Sequence, residues 1–97
     1  MIADWRVQSY WVYMVKCADG SLYTGSTNAV ARRLGEHNAG RGSKYTRSRR
    51  PVSLAFLEKA ADRRSALKRE AGIKRLSRKE KLRLCRRYEK KKKYSVR

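Results

Sequence analysis

The order of hydrophobic and polar residues predicts three short strands. Residues 10–17 are rich in aromatic and β-branched side chains, which favours a strand, and the Asp-Gly pair that follows is typical of a hairpin turn. A second strand over residues 22–26 is therefore predicted to run antiparallel to the first. Residues 52–60 alternate between large apolar and smaller side chains, which is the period of a third strand.

Capping residues predict helices between and after these strands. A side-chain oxygen at the N-cap accepts a hydrogen bond from a free backbone N–H, so such residues mark helix starts. Thr27 and Asn28 are suitable N-caps for a helix that ends near Asn38. Asp62 is the predicted cap of a second helix, which ends near Leu76.

The remaining segments complete a small mixed fold. The sequence Ser77-Arg78-Lys79-Glu80 has the capping-box pattern that begins a third helix, and the last eight residues, KKKKYSVR, are predicted to fray. Residues 39–50 contain glycines and many cations without an apolar period, which predicts a loop. The resulting order, β-β-α-β-α-α, indicates an α+β fold in which helices cover a small sheet.

The charge balance makes this small fold an unusually basic one. The 97 residues include 27 Lys and Arg against 8 Asp and Glu, which gives a net charge of +19. Such a surface attracts polyanions, so nucleic acid is the expected partner. With 40% hydrophobic residues, the chain is too apolar to be a charged disordered tail.

Several other classes of protein are excluded by what the sequence lacks. No apolar stretch approaches the roughly 18 residues of a membrane span, and residues 1–6 lack the apolar run of a signal peptide, so a cytoplasmic protein is expected, with nucleoid association left open. Cys17 and Cys85 form no CxxC pair, and His37 is the single histidine, which leaves too few ligands for a zinc site. Both cysteines are expected to be reduced, and no small-molecule cofactor is expected.

Two polar residues border the apolar stripe of the first predicted helix. On a helical wheel Val30 and Leu34 define the stripe, and Arg33 and His37 lie at its edge. One interpretation is structural: Arg33 lays its alkyl stem over the edge of the core, and His37 is a half-buried imidazole with a hydrogen-bond partner. The other interpretation is that both belong to a functional site.

One acidic residue lies inside the apolar arc of the second predicted helix. Glu70 falls among Leu67, Ala66, Ala71 and Ile73 on the helical wheel. A carboxylate there must be paired, protonated or bound to a cation, because burial of an unpaired charge costs several kcal/mol. An ion pair with one of the many cations and a functional role both stay open, and Arg33 is one candidate partner for the ion pair.

Two tyrosines lie in the paired strands of the predicted hairpin. The hydroxyls of Tyr13 and Tyr23 can meet near one end of the sheet. Buried strand tyrosines are usually core residues whose hydroxyl finds a partner, and this interpretation stays open beside a functional one.

Taken together, these positions resemble the GIY-YIG nuclease domain over about residues 10–84. Its two motifs correspond to Trp11-Val12-Tyr13 and Tyr23-Thr24-Gly25, with ten residues from tyrosine to tyrosine. Arg33 follows Tyr23 by ten residues, His37 comes one helical turn later, and Glu70 falls where the family's acidic metal ligand is expected. The most similar members are small stand-alone bacterial proteins of the UPF0213 type, which are related to the N-terminal domain of excinuclease C.

The resemblance implies a fold, a reaction and a set of site residues. It implies a three-stranded antiparallel sheet flanked by helices in a nuclease domain over residues 10–86, with an N-terminal extension over 1–9 and a basic tail over 87–97. It also implies hydrolysis of a phosphodiester with one divalent cation, Mg²⁺ or Mn²⁺, held by Glu70. The general base is left unassigned. The implied catalytic residues are Tyr13, Tyr23, Arg33, His37 and Glu70, and the implied substrate-binding residues are Lys44, Tyr45 and Arg47.

Three functions are open at this point. The first is a metal-dependent DNA endonuclease in repair or processing, structure-selective or weakly specific because no recognition helix or zinc module is readable. The second is a non-catalytic basic protein that binds DNA or RNA through its charge. The third is an adaptor that binds a protein partner in a larger repair complex.

Overall fold

A three-stranded antiparallel sheet with its middle strand first in sequence organises the fold. The computed structural model describes residues 9–95, and the sheet order is β2-β1-β3. The elements in chain order are β1 Tyr10–Lys16, β2 Leu22–Thr27, α1 Val30–Asn38, α2 Lys44–Arg47, β3 Ser53–Ala60, α3 Arg63–Lys74 and α4 Arg78–Ser95. The predicted α+β fold with a small antiparallel sheet is confirmed, and the three predicted strands are present within one residue at each end.

The alternation of side chains along β1 divides the core into two halves. Val12 and Met14 point to one face, where they pack with Phe56 of β3 and with Ala66 and Ile73 of α3. Each of these five side chains is at most 6% exposed. Because helices α3 and α4 cover this face, it is the larger apolar contact of the fold.

The opposite face of the sheet carries a second, smaller cluster. Tyr13, Val15 and Cys17 pack there with Val52, and Leu34 of α1 covers them. Successive residues of a strand face opposite sides, so the neighbours Val12 and Tyr13 belong to different halves of the core. The sheet is therefore placed between α3 and α4 on one side and α1 on the other.

The predicted helix starts are right at two of three places. Asp62 caps α3 by accepting a hydrogen bond from the Ser65 N–H at 2.8 Å, and the reciprocal Ser77 and Glu80 bonds of a capping box measure 3.0 and 3.2 Å. The prediction for α1 is wrong, because its N-cap is Ala29, which has no side-chain oxygen to cap the helix. Thr27 instead accepts a hydrogen bond from the Ala29 N–H at 3.0 Å and shapes the turn before the helix.

The segment predicted as a loop contains one additional turn of helix, α2. Ser43 caps it by accepting a hydrogen bond from the Thr46 N–H at 3.1 Å. Thr46 is fully buried, so this turn is attached to the core although the residues around it are basic. Four residues are too few to show a helical period, which is why the sequence pattern does not reveal α2.

The buried stripe of α3 is rotated from the predicted one. Leu67, which the helical wheel includes in the apolar arc, is 45% exposed, whereas Ala66 and Ile73 are fully buried. The buried side of the helix is therefore centred on these two residues. Glu70 lies three residues before Ile73 and four after Ala66, so it borders this buried side, and its side chain is 17% exposed.

The last helix continues across residue 87, where the sequence predicts a tail. Helix α4 extends to Ser95 and so includes residues 90–95, which the sequence assigns to the basic tail. Residues 1–8 and 96–97, which include most of the predicted extension, lie outside the described residues. Tyr88 packs edge to face on Phe56 with a ring centroid distance of 6.2 Å, which attaches this part of α4 to the sheet.

Two further features of the described chain bear on the sequence expectations. Cys17 and Cys85 are both free thiols, as predicted, and burial raises the pKa of the Cys85 thiol. Within residues 9–95, no helix is both long enough and apolar enough to cross a membrane.

We expect Tyr88→Ala to lower the free energy of unfolding by about 2 kcal/mol, because it removes a half-buried ring from the core. Lys90→Ala, an exposed change one half-turn away on α4, is the matched control and is expected to stay within about 0.5 kcal/mol of the wild type. Urea unfolding measures both. Equal stabilities of the two variants would show that the folded domain ends before residue 88.

Candidate active site

A buried hydrogen bond joins the central strand to the first helix. The Tyr13 hydroxyl lies 2.8 Å from Nε2 of His37, and these residues are 3% and 0% exposed. His37 is in the last turn of α1, one turn after Arg33. The structural interpretation of a satisfied imidazole is thus correct in part, although His37 is completely buried rather than half-buried.

The other nitrogen of the same imidazole is held by helix α2. Nδ1 of His37 lies 2.8 Å from the Thr46 hydroxyl, and that hydroxyl can donate to the Ser43 carbonyl at 3.3 Å. When Thr46 donates in this way, it accepts the Nδ1 proton, and Nε2 then accepts the Tyr13 proton. Thr46 was missed in the sequence, since a neutral side chain in a basic segment gives no signal of a long-range contact.

Burial and a neighbouring cation set the protonation states of this pair. Burial and the Arg33 guanidinium both lower the pKa of His37, so the imidazole is neutral at pH 7. Burial raises the pKa of Tyr13, while Arg33 acts in the opposite direction. Arg33 is thus the group through which a negative charge on the Tyr13 oxygen would be stabilised.

Arg33 is fixed in place at the edge of this cluster. Its Nη1 donates to Glu36 at 2.9 Å, and its Nη2 donates to the Gly42 carbonyl at 2.9 Å. The side chain is 31% exposed, so part of the guanidinium faces solvent. An arginine held from two sides can present its remaining N–H groups to an anion with little loss of side-chain entropy.

An aromatic row extends from the imidazole to the surface. Tyr23 contacts the His37 ring edge to face at a centroid distance of 5.2 Å and stacks on Tyr45 at 5.9 Å. Tyr45 is 37% exposed, and the Arg49 guanidinium lies 3.9 Å above its ring. Tyr45 is therefore brought to the cluster, whereas the other two residues predicted to bind substrate, Lys44 and Arg47, are exposed on α2.

Two glycines provide the space that the cluster needs. A Cβ atom on Gly25 would lie 2.5 Å from the Tyr13 hydroxyl oxygen, and one on Gly42 would overlap the His37 ring. Gly25 therefore permits a close approach of its backbone to the Tyr13 hydroxyl. Gly25 pairs with Tyr13 across the β1–β2 register, so the glycine of the second motif makes room for the tyrosine of the first.

Glu70 lies across the edge strand β2 from these residues. Its Oε1 accepts a hydrogen bond from the Ser26 hydroxyl at 2.7 Å, and Ser26 pairs with Val12, the neighbour of Tyr13. Its Oε2 forms an ion pair with Lys74 at 2.8 Å. The predicted alternative of an ion pair is therefore present, but with Lys74, because Arg33 is paired with Glu36.

The two groups nevertheless act on each other electrostatically. The charge of Glu70 contributes to the raised pKa of Tyr13, and the Tyr23 hydroxyl contributes to the raised pKa of Lys74. In each case these are smaller contributions, after burial for Tyr13 and after the Glu70 hydrogen bond for Lys74. The structure thus groups Tyr13, Tyr23, Arg33 and His37 on the α1 side of the hairpin, while Glu70 contacts β2 from the α3 side, close enough to act on Tyr13 electrostatically.

The donor chemistry around Glu70 fits a hard divalent cation with few protein ligands. Carboxylate and hydroxyl oxygens are the ligands that Mg²⁺ and Mn²⁺ prefer. In the part of the chain that the structure describes, no three His, Cys, Asp or Glu side chains are grouped to hold an ion. A cation here would therefore bind one carboxylate and complete its coordination with water and substrate oxygens.

We expect the pH dependence of stability to follow from the buried neutral His37. Its folded pKa is below the ordinary value of about 6.5, so the unfolded chain binds the extra proton. The resulting stability is complete above about pH 7 and is lost as the pH falls below about 6.5. Urea unfolding between pH 7.5 and 5.5 measures this loss, and His37→Gln should remove it. An equal slope in the variant would contradict the assignment, since the chain has one histidine.

Comparison with known proteins shows which family the chain belongs to. The family model of the GIY-YIG catalytic domain matches residues 9–83. A UPF0213 protein of Staphylococcus aureus is 51% identical over 80% of this chain and 95% of its own. One of Desulfotalea psychrophila is 56% identical over 71% of this chain, a match that spans 64% of that relative's length.

A solved structure supports the same grouping. The solution NMR structure of a UPF0213 protein from Bacillus halodurans superposes with a TM-score of 0.51 at 41% identity, over 78% of this chain and 81% of that one. Sequence and fold therefore agree, and the chain belongs to the GIY-YIG family.

Proposed function

We propose that the protein is a metal-dependent endonuclease that hydrolyses DNA phosphodiester bonds in repair or processing. The observation that carries the proposal is the convergence of a buried tyrosine, a fixed arginine and one isolated carboxylate at one end of the β1–β2 hairpin. Phosphodiester hydrolysis needs an activated water, neutralisation of phosphate charge and help for the leaving oxygen. The first two needs have candidate groups here.

Glu70 is the residue proposed to hold the divalent cation. When bound, Mg²⁺ or Mn²⁺ would neutralise charge on a phosphate oxygen and lower the pKa of a coordinated water. The Ser26 hydrogen bond fixes the carboxylate and leaves its other oxygen as the ligand. The chain has eight acidic residues, and Glu70 is the one proposed for this site. A single carboxylate suits a one-metal site better than a two-metal site.

Tyr13 and Arg33 are proposed to act on the water and on the phosphate. Neutral His37 accepts the Tyr13 hydrogen bond and thereby directs the lone pairs of the phenolic oxygen away from α1. That oxygen is then oriented to accept a hydrogen bond from the attacking water. Arg33 donates to phosphate oxygens, and Tyr23 is positioned by its contact with His37 to add a further hydrogen bond.

The distribution of charge supports nucleic acid as the substrate. Five exposed cations follow one face of α4, opposite the side where Leu84 and Tyr88 pack on the core. None of them has an ion-pair partner within 4.0 Å among the described residues. These residues are Lys79, Arg83, Arg86, Arg87 and Lys90. A row of unpaired cations binds phosphates without regard to sequence, which is consistent with a structure-selective or weakly specific enzyme.

A second candidate function is a non-catalytic protein that binds DNA or RNA. It is favoured by one observation, the Lys74 ion pair that already occupies Glu70. In that case Glu70 would serve the stability of α3, and the net charge of +19 would account for binding.

The experiment is cleavage of supercoiled, branched and single-stranded DNA with Mg²⁺ or Mn²⁺. We expect Glu70→Gln and Arg33→Ala to lower the rate by about 100-fold or more, the usual effect of losing one group that stabilises transition-state charge. The matched controls are Glu58→Gln, an exposed acid paired with Arg69, and Arg32→Ala, which is 68% exposed on the same helix as Arg33. Both controls are expected to keep wild-type rates.

Two results would contradict the endonuclease. Equal rates in all variants would identify a contaminating nuclease. Absence of cleavage, together with salt-sensitive binding that is unchanged in Glu70→Gln and with chelator, would favour the non-catalytic protein.

A further inference from the structure

The ion pair between Glu70 and Lys74 occupies the atom that a metal would need. Oε1 of Glu70 is used by the Ser26 hydroxyl, and Oε2 lies 2.8 Å from the Lys74 ammonium. Both carboxylate oxygens therefore have a partner within the protein. A divalent cation that binds Oε2 competes with the ammonium, because two positive charges at contact distance from one oxygen repel each other.

This pair forms from the sequence of the helix itself. Glu and Lys four residues apart, with Glu first, is the favourable order on a helix. Lys74 is also the last residue of α3, where the helix dipole favours a positive charge. The ion pair thus needs no ligand to form.

The lysine is nevertheless free to leave. Its side chain is 52% exposed, whereas that of Glu70 is 17% exposed. Lys74 can therefore move into solvent by rotating its long side chain, while Glu70 stays fixed by Ser26. Exposed ion pairs of this kind contribute little to stability, so their exchange for a stronger ligand is easy.

We propose that Lys74 is the resident counter-ion of Glu70 and that it sets the metal affinity of the site by competing with the divalent cation. This inference rests on the proposed function, since it takes Glu70 as the metal ligand. The four-residue spacing favours the ion pair itself, and the proposal adds that the Lys74 ammonium competes with a metal for Glu70. Loss of the ammonium is expected to make the site bind metal more tightly.

The test is Mn²⁺ binding to the full chain, measured by electron paramagnetic resonance of free Mn²⁺ at low salt. We expect Lys74→Met to bind Mn²⁺ about 10-fold more tightly than the wild type, because it removes both the competitor and a nearby positive charge. Lys74→Arg keeps the charge and is expected to stay close to the wild type. Lys68→Met is the matched control: it changes an exposed lysine of the same helix, so it corrects for the change in net charge.

Glu70→Gln and the double variant Glu70→Gln/Lys74→Met identify binding at this carboxylate, and circular dichroism confirms that each variant is folded. If wild-type binding depends on Glu70 and Lys74→Met leaves it unchanged or weaker, the inference is overturned while the metal site stands. If Lys74→Met binds Mn²⁺ through Glu70 and the wild type does not, the inference is supported, because the lysine then excludes the metal completely. If neither protein shows such binding, both the inference and the proposed metal site are overturned.

Discussion

The hydrogen bond between Tyr13 and His37 is the contact on which the site depends. It joins the middle strand of the sheet to α1, and the second ring nitrogen extends the connection to Thr46 of α2. Both rings are almost completely removed from water, so each polar atom must find a partner inside the protein. The His37 ring can meet this requirement in few ways, which fixes the position of α1, and Arg33 is on that helix.

The surrounding backbone is adapted to this bond. Gly25 and Gly42 leave the space that the two rings occupy, and the Gly42 carbonyl also accepts a hydrogen bond from Arg33. On the other side of the sheet a charged partner is needed instead, because Glu70 lies on the otherwise apolar buried stripe of α3. The fold therefore places a neutral pair on one side of the edge strand and a charged pair on the other.

The sequence predicts the fold well because its signals are local. The alternation of side chains along a strand and the capping of α3 by the Asp62 side chain each involve only a few neighbouring residues. The sequence pattern alone therefore locates the strands and the start of this helix. The sequence pattern does not predict features that depend on contacts between residues far apart in the chain. Leu67 and Ala66 are both compatible with a helical period, and only the packing of α3 on the sheet decides which is buried. Thr46 is a further case, since its role exists only once α2 lies beside His37.

The sequence predicts which residues belong to the candidate site but not which residues each of them contacts. A buried glutamate in a basic chain requires a cation, and the sequence analysis names Arg33 as a candidate, although the i,i+4 spacing favours Lys74. The central claim is that this glutamate exchanges its lysine for a divalent cation beside bound DNA. The most direct measurement is anomalous diffraction from Mn²⁺ in crystals grown with a DNA that resists cleavage. We expect one ion about 2.1 Å from a Glu70 oxygen and beside a phosphate that Arg33 contacts. DNA bound with Glu70 still paired to Lys74, and no ion at its carboxylate, would contradict the account.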